Sequence, residues 1–203
     1  MEAFESFVAL ALESEGLVVS EAVKFKIALQ TKKKDKVEIQ EHGYEVDLVA
    51  ARSDKLVLAS VKSFFGSQGV KAKEVSGQSG NAGDSGYKML NRLEVRDGIL
   101  SEAAKTYGYR EDQIEFRLYV GRFNSVPQEL QTRAWCDSQI VGAGPIKVFS
   151  VDEIVGVVKA KAESKTYLNN PALVALKVLQ EAEQHAAKKA KLSTSKSTDR
   201  ITE

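Results

Sequence analysis

Two short apolar segments, separated by four polar residues, constrain the fold of this chain more than any other feature. Residues 44–51 and 56–63 are both rich in Val and Leu, and both have the length of a buried strand. The intervening residues 52–55, Arg-Ser-Asp-Lys, are polar and typical of a turn. The pattern therefore predicts two neighbouring strands that form a hairpin.

Each of these strands carries a charged residue, although a buried and unpaired charge strongly destabilises a protein. Asp47 lies within the first strand, and Lys62 lies at the end of the second. One explanation is a structural ion pair between neighbouring strands. The other is metal-dependent phosphodiester chemistry, in which the carboxylate holds a divalent cation. The ammonium group then orients water and stabilises the negative charge of a phosphate.

Helices and strands are predicted along the rest of the chain. The predicted helices are 2–15, 87–107, 127–138, 152–161 and a segment that starts at Asn170-Pro171; the further predicted strands are 17–29, 37–40, 114–120 and 146–150. The Gly- and Ser-rich residues 66–86 are predicted to form a long loop, and loops of this length are usually functional or mobile. Helices interspersed after a mixed sheet predict an α/β sandwich, with a central mixed sheet and helices on both faces.

The length of 203 residues suits one well-buried domain with an appendage. We predict an α/β domain over residues 1–165 and a C-terminal helix over 166–192 that packs on it. Residues 193–203 are rich in Ser, Thr and charged residues, and we predict a disordered tail there.

Composition excludes several classes of protein. The net charge of +1 gives no general affinity for nucleic acid, so any basic surface must be local. The single Cys136 cannot form an intramolecular disulfide, which fits a reducing compartment, and we predict a cytoplasmic protein. The acidic N-terminus is not a signal peptide, and no apolar run reaches the length of a membrane span, so no membrane partner is predicted.

The order of these features resembles the PD-(D/E)XK, or restriction-endonuclease-like, nuclease superfamily. An acid on one strand is followed by a strand that ends in a small residue, an apolar residue and a lysine (Ser60, Val61, Lys62), and then by a helix. The superfamily core is a helix, three strands, a helix and a strand, which can be laid over residues 2–120. The resemblance implies that Asp47 is the metal-binding aspartate, that Lys62 is the catalytic lysine and that Glu5 is the acid of the first helix.

The function implied by the resemblance is hydrolysis of DNA phosphodiester bonds with Mg²⁺ or Mn²⁺. The metal is expected to lie between Asp47, the backbone carbonyl of Val61 and solvent oxygens, a set that suits a hard ion which keeps several waters. DNA is therefore the predicted partner, and a homodimer remains compatible with the sequence.

Ser60 departs from the superfamily pattern, because most members carry Glu or Asp at this position. Serine is a poor ligand and brings no negative charge. Glu74 and Glu94 are candidates for the missing acid, and Glu45 is a weaker one, two residues from Asp47 and so on the same strand face. The alternative is a decayed site on a nuclease-like fold that binds DNA or a protein without cutting.

Two groups of residues are candidates for contact with nucleic acid. Lys71 and Lys73 lie in the predicted loop, where lysines and backbone N–H groups meet phosphates in many complexes. Lys88, Asn91 and Arg92 share one face of the predicted helix 87–107, next to the expected metal site. Both groups are also compatible with an ordinary solvated surface.

Overall fold

The computed structural model describes residues 3–33, 36–163 and 170–198. The chain divides into two units, Met1–Val155 and Gly156–Glu203. All strands belong to the first unit, within the part of the chain that the structure describes. The candidate site therefore has to be sought in the first unit.

A five-stranded mixed sheet forms the centre of the first unit. Its strands are β1 (Val18–Lys33), β2 (Lys36–Arg52), β3 (Lys55–Lys62), β4 (Ile114–Val120) and β7 (Lys147–Ser150), in that spatial order, and β5 (Ile140–Val141) and β6 (Gly144–Pro145) pair separately. The first three strands are antiparallel, whereas β3, β4 and β7 are parallel. The prediction of a mixed α/β fold is confirmed.

The described ranges also contain seven helices. They are α1 (Ala3–Ser14), α2 (Ala72–Val75), α3 (Lys88–Asn91), α4 (Leu93–Tyr107), α5 (Val126–Ser138), α6 (Val151–Glu163) and α7 (Pro171–Thr198). Short 3-10 turns occupy Ala82–Tyr87 and Glu111–Gln113. None of the helices in the described ranges is long and apolar enough to cross a membrane.

The two faces of β3 pack against different layers. Leu56 and Leu58 belong to a buried cluster that includes Ile99 of α4. Val57 and Ala59 alternate with them, so they point to the other face, and they are also fully buried. Strand β3 is therefore covered on both faces, which is compatible with an α/β sandwich.

A cluster of ion pairs joins the end of α1 to the face of the sheet that carries Val57 and Ala59. The guanidinium of Arg117, which is paired in register with Ala59, donates to Glu15 at 2.6 and 3.0 Å and to Glu115 at 2.7 Å. Lys55 and Lys147 add ammonium groups to the same carboxylates. Burial raises the pKa of both carboxyls, but the hydrogen bonds and charge of Arg117, together with these lysines, outweigh it and leave each pKa below its ordinary value.

The predicted hairpin is confirmed, and its first strand is longer than expected. Leu48 pairs with Ala59 and Ala51 pairs with Leu56 across the turn. However, β2 begins at Lys36 and pairs with β1 along its whole length, so the strands predicted at 37–40 and 44–51 are one strand. Residues of β2 before Leu48 thus form a two-stranded ribbon with β1.

The prediction of a single helix over residues 87–107 is wrong. The backbone of Arg92 is extended (φ −109°, ψ 105°) and separates α3 from α4. Just before the break, the side-chain amide of Asn91 donates to the backbone carbonyls of Glu74 and Asp84, which draws this residue toward the preceding segment. Lys88, Asn91 and Arg92 therefore do not share one helical face.

The segment predicted as a long loop is anchored at several points. Val70 and Val75 are fully buried, and Val70 forms a parallel β-bridge with Phe123. The carboxylate of Asp84 accepts hydrogen bonds from the Ser79 hydroxyl and the Gly80 backbone N–H. The Gly and Ser composition thus reflects tight turns between the buried anchors.

The start of the last helix follows the sequence signal. The side chain of Asn170 accepts hydrogen bonds from the backbone N–H groups of Ala172 and Leu173, and Pro171 is the first helical residue. Helix α7 continues to Thr198, beyond the end that we predicted at residue 192. Residues 199–203 of the predicted tail lie outside the described residues.

Replacement of Gly98 by Ala is expected to lower the free energy of unfolding by about 1 kcal/mol, and by about 2 kcal/mol at most. Alanine favours a helix over glycine by about 1 kcal/mol, but overpacking of a core costs about 1–3 kcal/mol. A Cβ atom at Gly98 would lie 2.4 Å from Cγ2 of the buried Ile27, so the cost of overpacking outweighs the gain in helix propensity. Gly156→Ala in α6 is the matched control, because a Cβ there meets open space. Urea denaturation of both variants tests this; an unchanged midpoint for Gly98→Ala would contradict it.

Candidate functional site

Asp47, Ser60 and Lys62 line one cavity of about 300 Å³ on the face of the sheet that carries α4. Its other lining residues come from two segments. Gly43, Tyr44 and Glu45 belong to the part of β2 that pairs only with β1, and Ser85, Gly86, Lys88 and Met89 belong to the segment before α4. The acid and the lysine of the predicted motif are thus brought together at the end of β3.

The position of Asp47 follows from the point at which β2 leaves β3. Backbone pairing between these strands ends at Leu48 and Ala59. Beyond it, the Oδ2 atom of Asp47 accepts a hydrogen bond from the backbone N–H of Val61 at 2.6 Å. The carboxylate therefore replaces a backbone carbonyl as the partner of β3.

The other neighbour of Asp47 is a distorted part of β1. Ala22 has a positive φ of 49°, which a residue with a side chain rarely adopts. It lies between the pairs Glu21–Leu48 and Val23–Val46, directly across from Asp47. The ribbon is thus irregular directly across from the residue that carries the carboxylate.

Lys62 and Ser60 complete the contacts of Asp47. The Lys62 Nζ atom lies 3.6 Å from Oδ2 of Asp47, and the Ser60 hydroxyl lies 3.3 Å from the same oxygen. The side chains of Asp47 and Lys62 are 24% and 19% exposed, so the pair is partly shielded but open to a ligand. Its mutual attraction is accordingly stronger than that of a surface pair.

Tyr87 contacts Lys62 from the side of the segment before α4, and no pattern in the sequence predicted this contact. The Lys62 Nζ atom lies 5.9 Å from the centre of the Tyr87 ring, within the range of a cation–π interaction. The Tyr87 hydroxyl is buried, with no hydrogen-bond partner among the described residues. Burial, and then the negative charge of Glu74, raise the pKa of this phenol, so it stays neutral.

Of the three candidates for the missing acid, the structure brings only Glu45 to the cavity of Asp47. Glu45 lines this cavity, and its carboxylate lies 3.6 Å from the ammonium of Lys24. Glu74 lines a different cavity, together with Lys71 and Lys73. Glu94 is largely exposed on α4 and pairs with Arg92 at 3.5 Å.

Of the other predicted site residues, too, the structure brings only some to the cavity of Asp47. Lys88 lines the cavity of Asp47, whereas Asn91 and Arg92 do not. Glu5 lies on α1 and is not among the cavity-lining residues. The start of α1 does lie near the end of β3, because the Phe4 ring contacts the Phe65 ring at 5.4 Å.

The acidic groups of the cavity fit a magnesium-type site with few protein ligands. Among the residues that the structure describes, no group of three or more His, Cys, Asp and Glu side chains could hold a metal ion. Mg²⁺, however, is often held by one or two carboxylates and otherwise keeps water or substrate phosphate oxygens. Asp47 and Glu45 are the carboxylates that line this cavity and would be the candidate ligands; Val61 donates its N–H to Asp47 and is not among the lining residues.

The cavity carries no net charge, since its two carboxylates, Asp47 and Glu45, are balanced by the ammonium groups of Lys62 and Lys88. A divalent cation would make it positive, which suits an anionic substrate.

Comparisons of the chain with protein-family models, with curated proteins and with solved structures gave no match.

Proposed function

We propose that this protein is a metal-dependent nuclease that hydrolyses phosphodiester bonds of DNA. The observation that carries the proposal is the convergence of Asp47, Ser60 and Lys62 in one partly open cavity, with 3.6 Å between the carboxylate and the ammonium group. The resemblance to PD-(D/E)XK nucleases rests on Glu5, Asp47 and Lys62; the last two line this cavity, whereas Ser60 departs from the superfamily pattern.

The residues of the cavity divide the chemical work between them. Asp47 and Glu45 would hold Mg²⁺ or Mn²⁺. The bound ion would supply Lewis-acid polarisation of a phosphoryl oxygen and a more acidic water. Lys62 is held by Asp47 and Tyr87, so its N–H groups are positioned to orient the attacking water and to stabilise the charge that develops on the phosphate.

Ser60 and Lys88 have supporting roles in this proposal. The Ser60 hydroxyl donates to Asp47 and so fixes the orientation of the carboxylate. Lys88 lines the same cavity and would contact a non-bridging phosphate oxygen. The acid that the superfamily carries at the position of Ser60 is replaced by Glu45 of the neighbouring strand.

Replacement of Lys62 by Gln tests the proposal directly. We expect wild-type protein to cleave plasmid, single-stranded or branched DNA in Mg²⁺ or Mn²⁺. The variant should be slower by at least about a hundredfold, because a positioned cation is lost from the transition state. Lys105→Gln, an exposed site on α4, is the matched control. Cleavage that persists in Lys62→Gln would overturn the proposal.

A second candidate function is binding of DNA or a protein without cleavage. It is favoured by one observation: all the described contacts of the Asp47 carboxylate, with Ser60, Val61 and Lys62, can serve to hold β2 against β3. DNA binding that weakens steeply with salt, with no cleavage in any divalent metal, would support this function instead.

A further inference from the structure

A second cavity of about 300 Å³ lies between the segment that follows β3 and the beginning of α5. All of its lining residues are polar: Lys71, Lys73, Glu74, Ser79, Asn81, Asn124 and Gln128. Among the residues that the structure describes, no apolar or aromatic side chain lines this cavity, which does not suit an apolar ligand. A polar, charged ligand is indicated.

The walls of this cavity are held in place by several hydrogen bonds. The backbone N–H of Ala72 donates to Oε1 of Gln128 at 2.8 Å, and the side-chain amide of Asn124 donates to the carbonyl of Gln68 at 2.9 Å. Gly69 approaches the next chain segment so closely that a Cβ would lie 2.7 Å from the backbone of Phe123. The cavity therefore has a fixed shape in spite of its loop sequence.

The charges of the cavity favour an anion. Two lysines and one glutamate line it, which leaves a net charge of +1. Lys71 is held by Oε1 of Gln68 at 2.7 Å and lies 3.8 Å from Glu74, whereas Lys73 is exposed and pairs with no acid among the described residues. Lysine and side-chain amides are the groups that proteins use to contact phosphate and sugar oxygens of nucleic acids.

One segment of the chain borders both cavities. Ser79 and Asn81 line the second cavity, and Ser85 and Gly86, a few residues later, line the cavity of Asp47. Tyr87 also lies between the two groups of lining residues. Its ring contacts Lys62 of the first cavity, and the charge of Glu74 of the second cavity adds to burial in raising the pKa of its phenol. The two cavities are therefore separated by only a few residues of this segment, a distance that the backbone of a polynucleotide can span.

We propose that the second cavity binds a backbone phosphodiester of the same polynucleotide whose scissile phosphate enters the cavity of Asp47. The inference rests on the proposed nuclease function, and it names Lys73 as the principal phosphate-binding group, with Lys71 and the amides of Asn81, Asn124 and Gln128 around it. It predicts that the substrate is a polynucleotide rather than a small phosphodiester.

The test is binding of a fluorescently labelled DNA oligonucleotide, followed by anisotropy in EDTA, where cleavage does not interfere. Lys73→Gln should weaken binding severalfold, and Lys73→Glu should weaken it by about tenfold or more. The slope of log affinity against log salt should fall by about 1 in the Gln variant, since one phosphate contact is lost. Lys105→Gln should bind like the wild type.

The arms of the experiment separate this inference from the nuclease proposal. If the wild type binds DNA and Lys73→Glu binds it equally well, the second cavity is not a backbone site, whatever the outcome of the cleavage assay. If the wild type instead binds AMP or inorganic phosphate in a Lys73-dependent way but not the oligonucleotide, the cavity takes small anions and the polynucleotide assignment is overturned. Binding lost in Lys73→Glu but retained in Lys105→Gln supports it even if no cleavage is found.

Discussion

Replacement of Asp47 by Asn is expected to lower metal-dependent DNA cleavage by about a thousandfold or more while the fold is retained. The amide oxygen of asparagine can still accept the hydrogen bonds from Val61 and Ser60 that the Asp47 carboxylate accepts. The negative charge that attracts a divalent cation is lost, and with it the Lewis-acid contribution to the transition state. Initial cleavage rates, measured beside circular dichroism and thermal unfolding, check both halves of the expectation.

Two further carboxylate-to-amide replacements serve as comparisons for Asp47→Asn, one as a control and one as a second test of metal binding. Asp54→Asn in the turn between β2 and β3 removes an exposed charge that pairs with Arg52, and it should leave cleavage unchanged. Glu45→Gln should reduce cleavage and raise the metal concentration needed for half-maximal rate, because Glu45 is the other carboxylate of the cavity. Equal cleavage by wild type and Asp47→Asn would rule out the assignment of Asp47 as a metal ligand.

Replacement of Arg117 by Met is expected to lower the free energy of unfolding by about 3 kcal/mol. Arg117 is 2% exposed, and its guanidinium bridges Glu15 and Glu115. Removal of one partner from a buried ion pair costs about 3–5 kcal/mol, because the remaining charge is left uncompensated. The lower end of that range applies here, since Glu15 is partly exposed and Lys55 stays beside both carboxylates.

The control is Arg110→Met, which breaks a pair of similar geometry with Asp112 at the surface and should cost at most about 0.5 kcal/mol. The difference between wild type and Arg117→Met should also depend on pH. Arg117 holds the pKa values of Glu15 and Glu115 below 4.5 in the folded protein, so the stabilisation is fully present above that pH. It is lost as the pH falls through the folded-state values. A difference that stays constant into strong acid would contradict this account.

Local sequence signals predicted most of the sheet and several helices. Strand β4 was predicted with its observed bounds, from its alternating β-prone residues. The hairpin of β2 and β3 was predicted from two Val- and Leu-rich runs around a polar turn, and α7 starts at the predicted Asn170 and Pro171. These signals succeed because each depends on neighbours in the chain.

Interactions between distant residues account for the errors. The break at Arg92 follows an amide of Asn91 that bonds to carbonyls of an earlier turn, which no helical periodicity records. In the candidate site, the motif predicted that Asp47 and Lys62 lie together, but the spacing of acids along the chain could not rank Glu45 above Glu74. Their separation into two cavities arises from the tertiary path of residues 66–92.

The Asp47 carboxylate, at the point where β2 and β3 separate, has two independent roles. It accepts a backbone hydrogen bond, and under the nuclease proposal it also binds the metal ion. Val61 needs an acceptor for its N–H where the strands part, and Asp47 supplies it whether or not any catalysis takes place. A relative of this chain that does not cleave DNA would therefore still favour Asp or Asn at this position. The Lys62 side chain has no hydrogen bond to the backbone among its described contacts, so under the nuclease proposal its loss in a relative would be the clearer sign of a protein that binds without cleavage.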